Sequence, residues 1–146
     1  MTDFTYDSTS RFVDVEAGKI HYHEAGEGPA LILLHGSGPG VTGWANFKGN
    51  LAHFAQHFRC IVPDFPGYGK STPVEGDPIG VCIKSVTALM DALKIDKAHL
   101  LGNSLGGQIA SIVAAKSADR VDRLICLGGI GLNLFSPFPA EGLNLL

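Results

Sequence analysis

The sequence predicts an α/β fold in which helices cover both faces of a mostly parallel sheet. Four continuous apolar runs are typical of strands that are buried on both faces of such a sheet. They lie at residues 30–34, 60–62, 99–101 and 124–127. Helical stretches separate the runs, at residues 44–57, 79–93 and 105–115. Regular alternation of strand and helix indicates right-handed crossovers and a doubly wound sheet.

An antiparallel hairpin precedes this pattern. Residues 12–16 and 20–24 alternate apolar and polar side chains around Gly18, which predicts two paired strands with one face in solvent. Of the 146 residues, 45% are hydrophobic and only 17% are charged, so the chain can build a buried core. Because no linker-like stretch divides it, we expect residues 1–146 to belong to one domain.

Charge and hydropathy exclude several classes of partner. Eleven basic against fourteen acidic residues give a net charge of −3 without a basic cluster, so we expect no nucleic-acid partner. No apolar run approaches the roughly 20 residues that span a bilayer, so we expect no membrane partner. The polar N-terminus carries Asp3 and Asp7 and lacks the features of a secretory signal, which favours a cytoplasmic location.

Three loops follow predicted parallel strands, and ligands of doubly wound sheets bind at the carboxyl ends of strands. The loops are residues 35–40, 64–71 and 102–107. The second ends in Gly-Lys-Ser, but Asp64 stands where a phosphate-binding loop requires glycine. We therefore predict that this loop closes the cleft beside the third one, with Lys70 solvated.

The third loop fits the pattern G-x-S-x-G between a strand and a helix. Gly102 and Gly106 leave room for a sharp turn, and Ser104 at its apex would be exposed above the start of a helix. We predict that Ser104 is a catalytic nucleophile. The alternative is that this glycine-rich segment only turns the chain and has no catalytic role.

A serine nucleophile needs two hydrogen-bond donors for the oxyanion that its attack creates. One is the amide that follows the nucleophile, at Leu105, and the second comes from a loop after a neighbouring strand. Gly36 and Gly38 allow the backbone around Ser37 to approach a ligand, so the Ser37 amide is the predicted second donor. A dinucleotide-binding reading of this loop is disfavoured because Pro39 removes an amide and the third glycine is out of register.

With these motifs in place, the sequence resembles the α/β-hydrolase superfamily and, within it, the hydrolases of meta-cleavage products. Ser-Gly-Pro-Gly at 37–40 and Trp-Ala-Asn-Phe at 44–47 carry the more specific part of the likeness. The other segments that carry it are 10–12, 21–24, 35–36, 64–71, 102–107, 128–132 and 134–137.

The resemblance implies an α/β-hydrolase-type sheet whose N-terminal part is residues 1–146, ending before a lid and the last core strands. The implied reaction is hydrolysis of a carbon–carbon bond in a 2-hydroxy-6-oxo-2,4-dienoate from aromatic or steroid ring degradation, without cofactor or metal. Ser104 matches the nucleophile, and the amides of Ser37 and Leu105 match the oxyanion hole. The implied substrate-binding residues are Gly38, Asn46 and Asn103. For Asn103 a turn residue, and for Asn46 a polar helix surface, remain alternatives.

Histidine and acid partners of the nucleophile do not stand in the expected order of serine, acid, histidine. All six histidines precede Ser104; they are His21, His23, His35, His53, His57 and His99. The match of His35 is a structural residue, with a general base as the alternative. His21 and His23 have the spacing of metal ligands but lack a third ligand, so we expect surface or packing roles.

Beyond Ser104 the acids are Asp119, Asp122 and Glu141, and we predict that the first two are solvated turn charges. Residues 143–146 end inside an apolar helical pattern, so we expect the chain to be cut there. A sheet that ends after residue 127 leaves an unpaired edge, which favours association with a missing C-terminal half or a homo-oligomer.

Three functions stay open. They are the carbon–carbon hydrolase, an ester or lactone hydrolase using the same oxyanion hole, and a non-catalytic half-domain that binds substrate. The three cysteines, Cys60, Cys82 and Cys126, lack metal-type spacing and are predicted to be buried, reduced thiols.

Overall fold

A computed structural model describes residues 3–73 and 75–128 of the chain. The resemblance segments at 129–132 and 134–137, Glu141, and the apolar end at 143–146 lie outside the described residues. Within the described part, no helix combines the length and the apolar character needed to cross a bilayer.

Among residues 3–73 and 75–128, six strands form a mixed sheet in the order β1-β2-β4-β3-β5-β6. The strands are β1 (Ser10–Val15), β2 (Gly18–Ala25), β3 (Ala30–Leu34), β4 (Arg59–Pro63), β5 (Ala98–Asn103) and β6 (Val121–Leu127). β1 pairs antiparallel with β2, and β2 pairs antiparallel with β4. The pairs β4–β3, β3–β5 and β5–β6 are all parallel. The predicted mostly parallel sheet with an N-terminal hairpin is confirmed.

Four helices accompany the strands in the part of the chain that the structure describes. They are α1 (Tyr6–Thr9), α2 (Gly43–Phe54), α3 (Pro78–Ala92) and α4 (Leu105–Lys116), and a 3₁₀ turn (Ala118–Arg120) leads into β6. The Thr42 side chain caps α2 by accepting from the Ala45 amide at 3.1 Å. Asp77 caps α3 in the same way, with Pro78 in the first turn. The start of α4 has no side-chain cap, which leaves its first amides open.

The core has one layer on each face of the sheet, because successive strand residues point to opposite sides. Ile32, Leu34 and Ile61 pack against α3 and α4 on one face. Leu31, Leu33 and Val62 pack against α2 on the other. The central strands β3, β4 and β5 are therefore buried on both faces, as predicted.

The last strand differs from the prediction. Its apolar residues Leu124, Ile125 and Leu127 are 41%, 47% and 50% exposed. The expectation of burial on both faces is wrong because β6 is the edge strand of the described sheet. Asp122, predicted in a turn, lies within β6, and its Oδ2 is 3.4 Å from Nδ1 of His99 on β5.

The hairpin also differs from the prediction, since the side of β2 expected in solvent is covered. His21 and His23 are fully buried. The ring of Tyr6 on α1 lies 4.6 Å from that of His23, and the Trp44 ring on α2 lies 4.8 Å from it on centroids. The short helix α1, which the sequence did not predict, therefore supplies the cover together with Trp44 of α2.

Candidate active site

Ser104 lies between the last residue of β5 and the first residue of α4, in an unusual backbone conformation. Its φ is 53° and its ψ is −114°. Such angles are sparsely populated for a residue with a side chain and are retained where the surrounding structure enforces them. The Gly107 and Gln108 amides both donate to the Ser104 carbonyl, at 2.9 and 3.1 Å, and so fix the turn.

Glycine is required on both sides of this turn. A Cβ on Gly102 would collide with the carbonyl of Gly106, and a Cβ on Gly106 would collide with the carbonyl of Leu34. Because these are backbone atoms, no side-chain adjustment relieves the contact. The G-x-S-x-G spacing thus lets β5, α4 and β3 approach one another at Ser104.

Ser104 lies at the exposed apex of its turn. The residue is exposed, and no hydrogen bond to its Oγ comes from residues 3–73 or 75–128. The Leu105 amide, the first of α4, likewise has no acceptor within that part of the chain. An exposed hydroxyl beside an open amide at a helix start is suited to stabilise a developing negative charge.

The loop after β3 lies directly against this turn. A Cβ on Gly36 would be 3.5 Å from Cβ of Ser104. The Gly36 amide donates to Oδ1 of Asn46 at 3.1 Å, and the Gly36 carbonyl accepts from Nδ1 of His35 at 2.6 Å. In a planar trans peptide the carbonyl and the next amide point in opposite directions. The bond to His35 therefore sets the direction of the Ser37 N–H, the predicted second oxyanion donor.

His35 uses both of its ring nitrogens in this arrangement. Its Nε2 accepts from the Phe65 amide at 3.0 Å while its Nδ1 donates to Gly36. Burial lowers the pKa of His35, which favours this neutral form. With neither nitrogen free, the general-base alternative for His35 is excluded, and the structural role that the resemblance implied fits the geometry.

The two asparagines predicted to bind substrate are neighbours. Nδ2 of Asn103 donates to Oδ1 of Asn46 at 3.1 Å, so this oxygen accepts from both Asn103 and Gly36. Asn103 is the last residue of β5 and Asn46 is half-buried on α2, so neither the turn nor the surface alternative describes them. Their position beside Ser104 is compatible with contact to a ligand there.

Gly38 does not join this group among the described contacts. It lies in the exposed part of its loop with a φ of 132°, and its carbonyl accepts from the Val41 amide at 3.3 Å. A Cβ at this position would have only Val41 within 4 Å. Its predicted role in substrate binding stays a prediction.

The buried His21 and Asp64 and the half-buried Ser10 form a cluster that is linked to the loop after β3, and sequence reasoning missed it. We call it the Asp64 cluster. Oδ2 of Asp64 is 2.7 Å from Nδ1 of His21, and Nε2 of His21 is 2.8 Å from Oγ of Ser10. Asp64 also accepts from the Gly43 amide at 2.8 Å and the Lys70 amide at 3.2 Å.

This cluster corrects the expected position of Asp64 and specifies the packing role of His21. Asp64 does not line the cleft as a closing residue, since it is 2% exposed and bonded within the core. His21 is held by a carboxylate and a hydroxyl, and the described residues contain no group of three or more side chains arranged to bind a metal ion. Lys70 is exposed as predicted, with Nζ 4.6 Å from the centroid of the Tyr6 ring.

The cysteines are poor candidates for nucleophiles. Burial raises the pKa of both Cys60 and Cys82 to about 11, so their thiols stay protonated near neutral pH. Both are buried and free, as predicted, whereas Cys126 is only half-buried. Ser104 therefore remains the exposed nucleophile candidate of this site.

A mostly parallel sheet with a strained, exposed serine between strand and helix, facing a glycine loop after a neighbouring strand, defines the class of α/β hydrolases. The comparison with protein families agrees, because residues 29–145 match the family described as the alpha/beta hydrolase fold. The chain belongs to this family.

Its relatives include hydrolases of dienoates. The chain is 44% identical over 156 aligned positions to a 2-hydroxy-6-oxo-6-phenylhexa-2,4-dienoate hydrolase of Burkholderia cepacia, covering 100% of this chain and 54% of the relative. It is 43% identical to a 2-hydroxy-6-oxononadienedioate/2-hydroxy-6-oxononatrienedioate hydrolase of Escherichia coli K12, covering 95% of this chain and 52% of the relative. The chain thus spans about half the length of these curated relatives.

Solved structures show the same likeness. A meta-cleavage product hydrolase from Pseudomonas fluorescens IP01 superposes with a TM-score of 0.74 at 34% identity, covering 80% of this chain and 43% of that one. An epoxide hydrolase from Vigna radiata superposes with a TM-score of 0.72 at 26% identity, covering 80% and 37%. Since both kinds of enzyme share the fold, the fold alone does not decide the reaction.

Proposed function

We propose that the protein to which this chain belongs is a serine-dependent hydrolase that cleaves a carbon–carbon bond in 2-hydroxy-6-oxo-2,4-dienoates. The single observation that carries the proposal is the pairing of an exposed Ser104 with two joined amide side chains, Asn46 and Asn103. The relatives named as dienoate hydrolases support the choice of substrate class.

In the proposed reaction the dienol is first converted to its keto form, which makes the bond beside the C6 carbonyl breakable. Oγ of Ser104, or a water next to it, then attacks C6, and the carbonyl electrons move to the oxygen. The amides of Ser37 and Leu105 stabilise this oxyanion. Collapse of the intermediate breaks the carbon–carbon bond, and the departing carbon takes a proton and leaves as a 2-hydroxypentadienoate. Attack by water gives the carboxylic acid directly, whereas attack by Ser104 leaves an acyl-enzyme that one water then hydrolyses to the acid.

The amide side chains suit the other end of such a substrate. Neutral amides hydrogen-bond a carboxylate or an enol oxygen without adding charge near the base. Oδ1 of Asn46 already has two donors, so its Nδ2 is the group it can offer to a ligand. Gly38, in the same loop as Ser37, is proposed to leave space for the ligand.

A hydroxyl nucleophile requires a base, and we propose that it lies outside these 146 residues. His35 is excluded by its two hydrogen bonds, and His21 is buried in the Asp64 cluster. In this proposal residues 1–146 are the N-terminal part of one core domain of a cytoplasmic enzyme that forms homo-oligomers. The remaining polypeptide supplies the acid and the histidine, and neither metal nor cofactor takes part.

The test uses the full-length protein and follows the loss of the dienolate absorbance. Ser104→Ala should lower kcat by roughly a thousandfold or more, as expected for removal of a nucleophile. Ser111→Ala, which removes a serine that donates to the Gly107 carbonyl within α4, is the matched control and should leave kcat within about threefold. Undiminished turnover by Ser104→Ala would refute the proposal.

The same preparation separates the two other functions. If Asn103 serves the dienoate, Asn103→Ala should reduce dienoate turnover at least about tenfold more than turnover of p-nitrophenyl acetate. Equal losses on both substrates would favour an ester hydrolase. A wild-type protein that binds the dienoate without consuming either substrate would be a binding protein.

A further inference from the structure

The Asp64 cluster is joined to the site through two separate arms. The first begins with Oδ1 of Asp64, which accepts from the Gly43 amide at the start of α2 at 2.8 Å. One turn further along α2, Oδ1 of Asn46 accepts from the Gly36 amide at 3.1 Å. This arm therefore ends on the N–H of Gly36.

The second arm runs through the backbone that follows Asp64. The Phe65 amide donates to Nε2 of His35 at 3.0 Å, and Nδ1 of His35 donates to the Gly36 carbonyl at 2.6 Å. This arm ends on the C=O of Gly36. The N–H and the C=O of Gly36 are thus both held by hydrogen bonds that lead back to residues 64 and 65. The Gly36 carbonyl lies in the same peptide plane as the Ser37 amide.

His21 is bonded to Asp64 in two ways. A carboxylate oxygen only accepts, so Nδ1 of His21 carries the proton of this bond and, in the neutral ring, Nε2 accepts from the Ser10 hydroxyl. The His21 amide also donates to Oγ of Ser71 at 3.0 Å, and that hydroxyl donates to the Asp64 carbonyl at 2.7 Å. His21 thereby contacts Asp64 directly through its side chain and indirectly through its backbone.

From this geometry we propose that Ser10, His21 and Asp64 form a positioning unit that sets the orientation of the Gly36–Ser37 peptide, with His21 as its central residue. The inference rests on the proposed function, in which the Ser37 amide stabilises the oxyanion. These three residues do not touch the reacting atoms. They act through α2 and His35, and loosening them turns the Ser37 amide away from the direction that the oxyanion requires.

The neighbouring pair of Thr9 and His23 provides a matched comparison. Oγ1 of Thr9 is 2.8 Å from Nδ1 of His23, the same distance as between Ser10 and His21. Both histidines lie on β2, two residues apart, and both are fully buried. Nε2 of His23 has no partner among the described residues, so this second pair does not extend to Asp64 or to Gly36.

The experiment compares His21→Phe, His21→Asn and Thr9→Val in the full-length protein. Asparagine places an amide Nδ2 near the position of Nδ1 and can still donate to Asp64, whereas phenylalanine cannot. With the dienoate as substrate, His21→Phe should lower kcat by roughly 10- to 100-fold with KM within about threefold, because an oxyanion contact acts mainly in the transition state. On a logarithmic scale, His21→Asn should recover at least half of the kcat that His21→Phe loses. Thr9→Val should leave kcat unchanged.

A second readout does not depend on turnover. Amide hydrogen exchange, resolved by NMR, should show protection at Gly36 falling by roughly tenfold in His21→Phe and returning in His21→Asn, with no change in Thr9→Val.

Equal exchange at Gly36 in all three variants overturns the inference, as does an equal fall in kcat for His21→Phe and Thr9→Val. A wild-type protein without dienoate turnover would refute the proposed function, while the exchange result would still decide whether His21 positions Gly36. If His21→Phe does not fold, Ser10→Ala, which removes the hydroxyl bonded to Nε2 of His21, takes its place: a larger loss of Gly36 protection than in Thr9→Val supports the inference, and an equal one overturns it.

Discussion

The turn at Ser104 and the Asp64 cluster are linked through the loop at Gly36 but differ in nearly every physical respect. Ser104 is exposed, adopts a φ of 53°, and has a hydroxyl without a hydrogen bond from the described residues. Asp64 is 2% exposed, and its carboxylate accepts from His21, Gly43 and Lys70. One region holds an open polar group on a strained backbone, and the other holds buried polar groups that are hydrogen-bonded.

This difference shows how the fold supports a strained residue. An unfavourable conformation persists only when the surrounding structure over-determines it. Here the surroundings are the close backbone contacts of Gly102 and Gly106 and the bonds that fix Gly36. The hydrogen bonds of the Asp64 cluster stabilise the protein, and this stability offsets the strain of the turn that exposes Ser104. Three stability measurements test this division.

The largest effect is expected from Gly106→Ala, which acts on the packing that enforces the turn. The added Cβ would collide with the Leu34 carbonyl and lie 2.7 Å from the His35 carbonyl. Since backbone cannot move aside without disturbing β3, we expect a loss of about 3 kcal/mol or more in the free energy of unfolding. Urea denaturation followed by circular dichroism measures it.

Gly49→Ala is the control for Gly106→Ala. Gly49 lies in the exposed interior of α2, and a Cβ there would have nothing within 4 Å. Alanine is the better helix former, so this variant should gain about 0.5 to 1 kcal/mol. If both variants behaved alike, the close approach at Gly106 would not be what holds the turn.

The second effect concerns His23, the buried histidine beside the Asp64 cluster. Burial, followed by the proximity of His21, lowers the pKa of His23 to about 4 from the ordinary 6.5. Between these two pH values the unfolded chain binds the proton and the folded chain does not, so stability falls as pH decreases through this window. The expected loss is on the order of 3 kcal/mol between pH 7 and pH 4.

Comparison with His23→Phe isolates this contribution from that of the carboxylates. The phenylalanine variant should lose less stability than the wild type over the same pH range, as measured by urea denaturation at each pH. His53→Ala, which removes an exposed histidine from α2, is the matched control. If the free energy of unfolding of His23→Phe fell with decreasing pH as steeply as that of the wild type, the prediction would be wrong.

Much of the fold could be predicted because the central strands and longer helices carry local patterns. The predicted run 30–34 coincides with β3, and the predicted helix 105–115 differs from α4 by one residue at its end. The four residues of α1 are too few to show a helical period, although Thr5 and Ser8 form a capping box. The start of β6 at Val121 arises from its pairing with Ala98, which a polar local sequence does not reveal.

The same distinction applies to the candidate site. Ser104 and its glycines lie within five consecutive residues, so their spacing predicts the turn. The bonds of Asp64 to His21 and of Asn103 to Asn46 join residues 43 and 57 positions apart. No pattern in a single sequence reports such pairs. The nearest available signal for the cluster was the spacing of His21 and His23, which metal ligands also show.

The smallest effect is the most specific test of strain at Ser104, and it depends on the sign of a difference between two variants. Alanine retains a Cβ at a φ of 53° and a ψ of −114°, so Ser104→Ala keeps the unfavourable backbone, whereas Ser104→Gly relieves it. Relief of about 1 to 3 kcal/mol, less the greater entropy of glycine in the unfolded chain, should make Ser104→Gly more stable than Ser104→Ala by about 1 kcal/mol. At Ser111, inside α4, the order should reverse, because glycine in a helix costs about 1 kcal/mol relative to alanine. Thermal and urea denaturation of the four variants give both differences. The same order at both positions would mean that the turn stores no strain.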